Sequence, residues 1–187
     1  MNEPIIDSSM TADEAKKQNN KLACPKEVID ELILIDVEYF SFDGFVHRGQ
    51  ILIHKNLADD VRGAFQLLLE DKFPIESVIP VADKRFAWDD SKSTAANNTS
   101  AFNYRYVRGT NIMSNHSQGR AIDINPALNP YLPGNKVFPP HASYNPVAPG
   151  TILAGSKLVK YFEDRGWRWG GNWEEDLDYQ HFEKSEK

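Results

Sequence analysis

The sequence has almost no thiol chemistry: Cys24 is its one cysteine. That excludes an intramolecular disulfide and any cysteine-built metal cluster. A lipoprotein would carry an apolar run before such a cysteine, but the residues before Cys24 are rich in Lys and Asn. Cys24 is therefore expected to be a buried or incidental thiol rather than a nucleophile. The first twenty residues, MNEPIIDSSMTADEAKKQNN, lack the apolar stretch of a signal peptide. Any export is then expected by another route or after loss of a leader. No stretch is long and apolar enough to span a membrane. Basic clusters are missing too: 21 Lys and Arg face 27 Asp and Glu, for a net charge of −6. A nucleic-acid partner is excluded on that balance, although a local cleft can still differ in sign from the whole.

What remains is an ordinary globular composition of 187 residues, 41% hydrophobic and 11% aromatic, enough for one sizeable core. Residues 1–27 are polar and aperiodic and read as a flexible lead-in; residues 28–187 read as a single domain, expected to be a monomer. Leu32 to Phe42 is β-branched and aromatic, Asp43-Gly44 is a turn signal, and Gln50 to His54 reads as the partner strand. Between Leu57 and Lys72 the apolar residues Leu57, Val61, Ala64, Phe65, Leu68 and Leu69 recur at helical spacing, ending before Pro74. Strands are expected at Ser77–Val81, Ala101–Val107 and Gly119–Ile124, with a polar loop over Trp88–Ser100. Seven prolines between 125 and 150 mark a long ordered loop or lid. Lys157–Arg165 reads as a short helix closed by Gly166. Strand-rich segments with isolated helices predict an α+β fold: a small antiparallel sheet with helices on one side.

Of the five histidines, His47, His54 and His141 stand alone, and His141 is expected at the surface. His116 and His181 have company: Ser114-Asn115-His116-Ser117-Gln118-Gly119-Arg120-Ala121-Ile122-Asp123 and Asp178-Tyr179-Gln180-His181. An unbroken strand would send His116 and Asp123, seven apart, to opposite faces. Gly119 offers a bend that brings both to one side, and Ala121 permits close packing. Two imidazoles and a carboxylate with an open fourth position suit a catalytic zinc. The competing reading has Asp123 capping a turn with His116 bonded to it.

The pattern S-x-H-x-x-G-x-A-x-D in SNHSQGRAIDINP (114–126), followed by WGGNW (169–173) and DYQHFE (178–183), resembles the VanY-type D-alanyl-D-alanine carboxypeptidase family, which also includes L-alanyl-D-glutamate endopeptidases. The resemblance runs from about residue 32 to 184. It implies a Hedgehog/DD-peptidase-like fold with a zinc cleft on the sheet, one Zn2+ on His116, Asp123 and His181, and Asp178 as acid/base, with Glu175 and Glu183 next in line. Asp178 otherwise reads as one more exposed acid beside Glu174, Glu175 and Asp176. The family places an arginine upstream of the first ligand at the developing oxyanion. Arg105 in FNYR matches best, ahead of Arg108 and then Arg120. Ser114 is expected to orient His116 or substrate, and Trp167, Trp169 and Trp173 to form core and cleft wall. The implied function is hydrolysis of a peptide bond in peptidoglycan stem peptides, by a carboxypeptidase or an endopeptidase. The alternative is a zinc-stabilised module that binds the wall without cutting it.

Overall fold

The computed structural model describes residues 3–17 and 22–186. Its centre is the antiparallel hairpin of β2 (Leu32–Phe40) and β3 (Val46–His54), in register from Leu32 opposite His54 to Phe40 opposite Val46. The Asp43-Gly44 signal makes the turn: the Asp43 carboxylate accepts from the Phe45 amide at 3.0 Å, and Gly44 takes φ +86°, a conformation that costs glycine little.

Alternation along the hairpin feeds both of its faces. Ile35, Val37, Tyr39, Ile51 and Ile53 pack under α3 (Ala58–Glu70), which buries Val61, Ala64, Phe65 and Leu68, and under α5 (Lys157–Glu163), which buries Leu158, Val159 and Phe162. Fully burying a side chain of this size stabilises by about 1.5–3 kcal/mol. The opposite face, through Leu32 and Leu52, packs on Trp88, Phe102 and Ala15. Helices therefore lie on both faces of the hairpin, because Ala15 belongs to α1 (Ala12–Lys16). The one-sided arrangement expected from the sequence holds only for α3 and α5.

The lead-in expected to be flexible contains two defined elements. Ile5–Ile6 (β1) pairs parallel with β3, and α1 closes with a capping box between Thr11 and Glu14. Polar composition hid this, since a two-residue strand has no periodicity to read. After residues 18–21, outside the described residues, α2 (Lys26–Asp30) leads into β2.

The remaining strands are short. β4 (Ser77–Val78) pairs parallel with β5 (Asn98–Thr99) and lies so close to β3 that a Cβ on Gly49 would sit 2.1 Å from the Val78 carbonyl oxygen. The stretch read as a polar loop contains α4 (Asp90–Ala95), capped by the Asp89 carboxylate on the Lys92 amide at 3.1 Å. The strand expected over Ala101–Val107 is an extended segment whose ladder reduces to single bridges at Ser100 and Tyr106. A second sheet has the order β6 (Ala121–Asp123), β10 (His181–Glu183), β8 (Arg168–Trp169), all antiparallel. Within the proline-rich stretch β7 (Tyr131–Leu132) pairs with β9 (Leu177–Asp178). The whole is α+β with small sheets and few helices. Among the described residues no helix is long and apolar enough to cross a membrane.

Candidate metal centre

In the register of β6 and β10, Asp123 stands directly opposite His181. His116 comes from a 3-10 turn at Asn115–Gln118, opened by Ser114, whose hydroxyl accepts from the His116 amide at 3.3 Å, and closed by Gly119 at φ +63°. The expected bend is at Gly119, and packing as well as φ requires glycine there. A Cβ would lie 2.6 Å from Leu32 Cδ2 and 2.7 Å from the His54 amide nitrogen. Ser114 holds the backbone of His116 rather than its ring.

The turn and the two strands bring three side chains together, all buried. His116 Nε2 lies 3.2 Å from Asp123 Oδ2 and 3.2 Å from His181 Nδ1, and His181 Nδ1 lies 3.0 Å from Asp123 Oδ1. Each ring spends its other nitrogen outward. His116 Nδ1 donates to the Ala101 carbonyl at 2.5 Å, and His181 Nε2 donates to Glu183 Oε2 at 3.1 Å. In the neutral rings that would bind a metal, a proton on each outer nitrogen leaves lone pairs on both inner ones. Two such nitrogens and a carboxylate oxygen, all within 4.8 Å, are a donor set that a divalent cation satisfies.

Local electrostatics fit that reading. Burial alone would raise Asp123, but the two imidazoles outweigh it and hold its carboxyl well below the usual range. Burial opposes a charge on His181, yet its hydrogen bonds to Asp123 and Glu183 win and push it up to about 10. Without a metal, a proton on His181 supplies the positive charge that these carboxylates call for.

Asp178, on β9, lines the same cleft, a space of about 230 Å3 shared with the three donors. Its carboxyl is pushed up to about 7, chiefly by burial, with the Asp123 charge adding and His181 opposing. Gln180 donates to its Oδ1 at 3.1 Å. It is thus not one more surface acid beside Glu174, Glu175 and Asp176, all of which are exposed. The WGGNW motif makes room for it: a Cβ on Gly170 would lie 2.6 Å from the Asp178 carbonyl oxygen and 2.9 Å from its Cβ.

Arg105 and Arg108 both line the cleft, so the parity argument that separates them fails; without a ladder there, alternation does not persist. Both reach Asp90 on α4: Arg105 Nε at 2.9 Å from Oδ1, and Arg108 Nη2 at 3.8 Å from Oδ2. Arg108 also lies over the Phe138 ring at 4.5 Å. Arg120 is elsewhere, donating to the Lys184 carbonyl at 2.9 Å. Trp167 and Trp169 are core, Trp173 edges the His181 ring at 5.6 Å, and His141 is exposed. The Cys24 thiol is pushed up to about 11 by burial, which makes it a poor nucleophile.

Sequence reasoning missed Asp90, hidden in the unrecognised α4, and the partnership of Glu183 with His181. A signal for the second existed: residues 181 and 183 are two apart on a strand and face the same way.

Comparison with curated proteins and with solved structures gives no match. A family model does match, and its span takes in both histidines, Asp123, Arg108 and Asp178 but begins three residues after Arg105. Residues 108–184, which carry the metal-donor cluster and the WGGNW and DYQHFE motifs, match the family model of D-alanyl-D-alanine carboxypeptidase, the VanY-like family that these motifs resemble.

Proposed function

We propose that the chain is a zinc-dependent peptidase that hydrolyses a peptide bond in peptidoglycan stem peptides, acting where that polymer lies, outside the cytoplasm. The observation that carries the reading is the placement of a half-buried carboxyl, Asp178, in one cleft with three inward-facing metal donors. His116, Asp123 and His181 would hold one Zn2+. The ion's contribution is Lewis acidity: it lowers the pKa of a bound water toward ~7 and polarises a carbonyl.

The protein's own groups do the rest. Asp178, lining the cleft beside the three donors, is suited to take a proton from the attacking water and pass it to the leaving amine. The Gln180 amide orients that carboxylate. Arg105, anchored through Nε on Asp90 and through Nη1 on the Tyr106 carbonyl, has Nη2 to turn toward charge that develops on the carbonyl oxygen. Arg108 is the competing cation for that role. Tyr131, Phe138, Pro139 and Trp173 supply apolar walls that limit water around the reacting groups.

The test is digestion of purified peptidoglycan with zinc-loaded and chelator-treated protein, followed by mass measurement of the fragments. Loss of a terminal D-alanine identifies a carboxypeptidase, and a cut between L-alanine and D-glutamate an endopeptidase. Zinc-dependent binding to the wall with no fragment released identifies the binding module instead.

A further inference from the structure

We propose that Glu183 is the positioning residue of the metal centre: its carboxylate fixes the His181 ring so that Nδ1, rather than Nε2, faces Asp123 and His116. The inference rests on the zinc reading above.

A neutral imidazole has one lone pair free for a metal, and the nitrogen that carries the proton cannot bind. What lies outside the ring therefore decides which nitrogen ligates. Carboxylates reach both ring nitrogens, Asp123 Oδ1 at 3.0 Å from Nδ1 and Glu183 Oε2 at 3.1 Å from Nε2. A metal shared with Asp123 would take the place of a proton on Nδ1, so the one proton of the neutral ring belongs on Nε2, facing Glu183. Glu183 is itself held from two directions. Asn115 Nδ2 donates to Oε2 at 2.5 Å, and the Arg168 guanidinium engages Oε1. Asn115 immediately precedes His116, and Arg168 lies on β8, paired with Glu183 across the ladder. One buried carboxylate thus couples the turn that carries the first ligand, the strand that carries the last, and the edge strand beside it. His116 is fixed differently, by the Ala101 carbonyl. These bonds commit Glu183 to His181 and leave it no part as the base that removes a proton from water.

The experiment titrates metal-free protein with zinc against a chromophoric chelator, for wild type, Glu183→Ala and Glu183→Gln. Losing an outer partner of this kind weakens metal binding about 10- to 100-fold, and Glu183→Ala is expected in that range. Glu183→Gln, whose amide oxygen can still accept from Nε2, should regain most of the loss. Excess zinc should restore the turnover of Glu183→Ala, which removal of a general base would not allow. A long-range 1H–15N spectrum of the zinc-loaded wild type should show the His181 proton on Nε2. Wild-type zinc affinity in folded Glu183→Ala, or the proton on Nδ1, overturns the inference; should Glu183→Ala not fold, Glu183→Gln and the spectrum decide. A wild type that binds no zinc ends the zinc reading itself, whereas a zinc-binding wild type with an unaffected Glu183→Ala ends only this one.

Discussion

Substituting Gly170 tests whether the position of Asp178 matters independently of the metal. A Cβ there would stand 2.6 Å from the Asp178 carbonyl oxygen, against 3.4 Å where ordinary contact begins, a shortfall of about 0.8 Å. The same Cβ would stand 2.9 Å from the Asp178 Cβ, so both the backbone and the side chain must retreat. The obstructing atoms are main chain and Cβ, not the tip of a flexible side chain that could swing aside. Overpacking of this kind costs about 1–3 kcal/mol of stability. A catalytic group displaced by nearly 1 Å loses up to about 100-fold in rate. Gly170→Ala is therefore expected to lower kcat by about 10- to 100-fold while the three donors, on other elements, keep their zinc. The assay is release of a D-amino acid or muropeptide fragment at saturating zinc, with metal content measured on the same sample. A Gly170→Ala protein with wild-type kcat would refute the assignment of Asp178. Equal loss of zinc and turnover would mean that the WGGNW turn supports the metal instead.

Asp178→Asn should abolish turnover and leave zinc bound, whereas His181→Ala should lose both; metal analysis beside the peptidoglycan assay separates them. Arg105→Lys keeps the charge but loses the planar fork, and should cost on the order of 100-fold in kcat; a larger loss from Arg108→Lys would reverse their ranking. His47 lies between Asp7 at 2.8 Å and Asp43 at 3.0 Å, and although burial pulls its pKa down, the two carboxylates raise it above the ordinary value. A raised folded value means that its stabilisation is complete below ~6.5 and fades as pH climbs through the folded pKa. The Asp7 amide, bonded to the Arg48 carbonyl at 3.0 Å, should then lose protection over that interval after correction for intrinsic exchange. His47→Gln should remove the pH dependence, and a flat wild-type profile would refute the clasp.

The sequence disclosed those parts of the molecule that repeat with a period. The apolar spacing from Leu57 to Leu69 became α3, and the alternation on either side of Asp43-Gly44 became the hairpin. The metal donors were legible for another reason, since their motifs preserve chemistry rather than shape. Elements of two residues left no such trace. Ile5–Ile6 finds its partner near position 47, and Tyr131–Leu132 finds its own near 178, pairings that only the assembled fold determines. Helix α4 was hidden by its composition, because Asp, Ser and Thr are indifferent helix formers and Asp89 contributes as a cap. The cleft arginines escaped the parity rule because their segment has no ladder to enforce it.

The facing of Asp123 and His181 across the β6–β10 ladder also bears on how the chain reaches its native pairing. Side chains alternate along a strand, so sliding β10 by one position would turn Phe182 toward the cleft and His181 into the core. Three-residue strands offer few hydrogen bonds with which to penalise that slip. A metal that binds only the correct pairing adds RT ln(1 + [L]/Kd), about 2.7 kcal/mol at a hundred times Kd. Zinc would then act as an editor of strand alignment, selecting one pairing from two near neighbours before any substrate arrives.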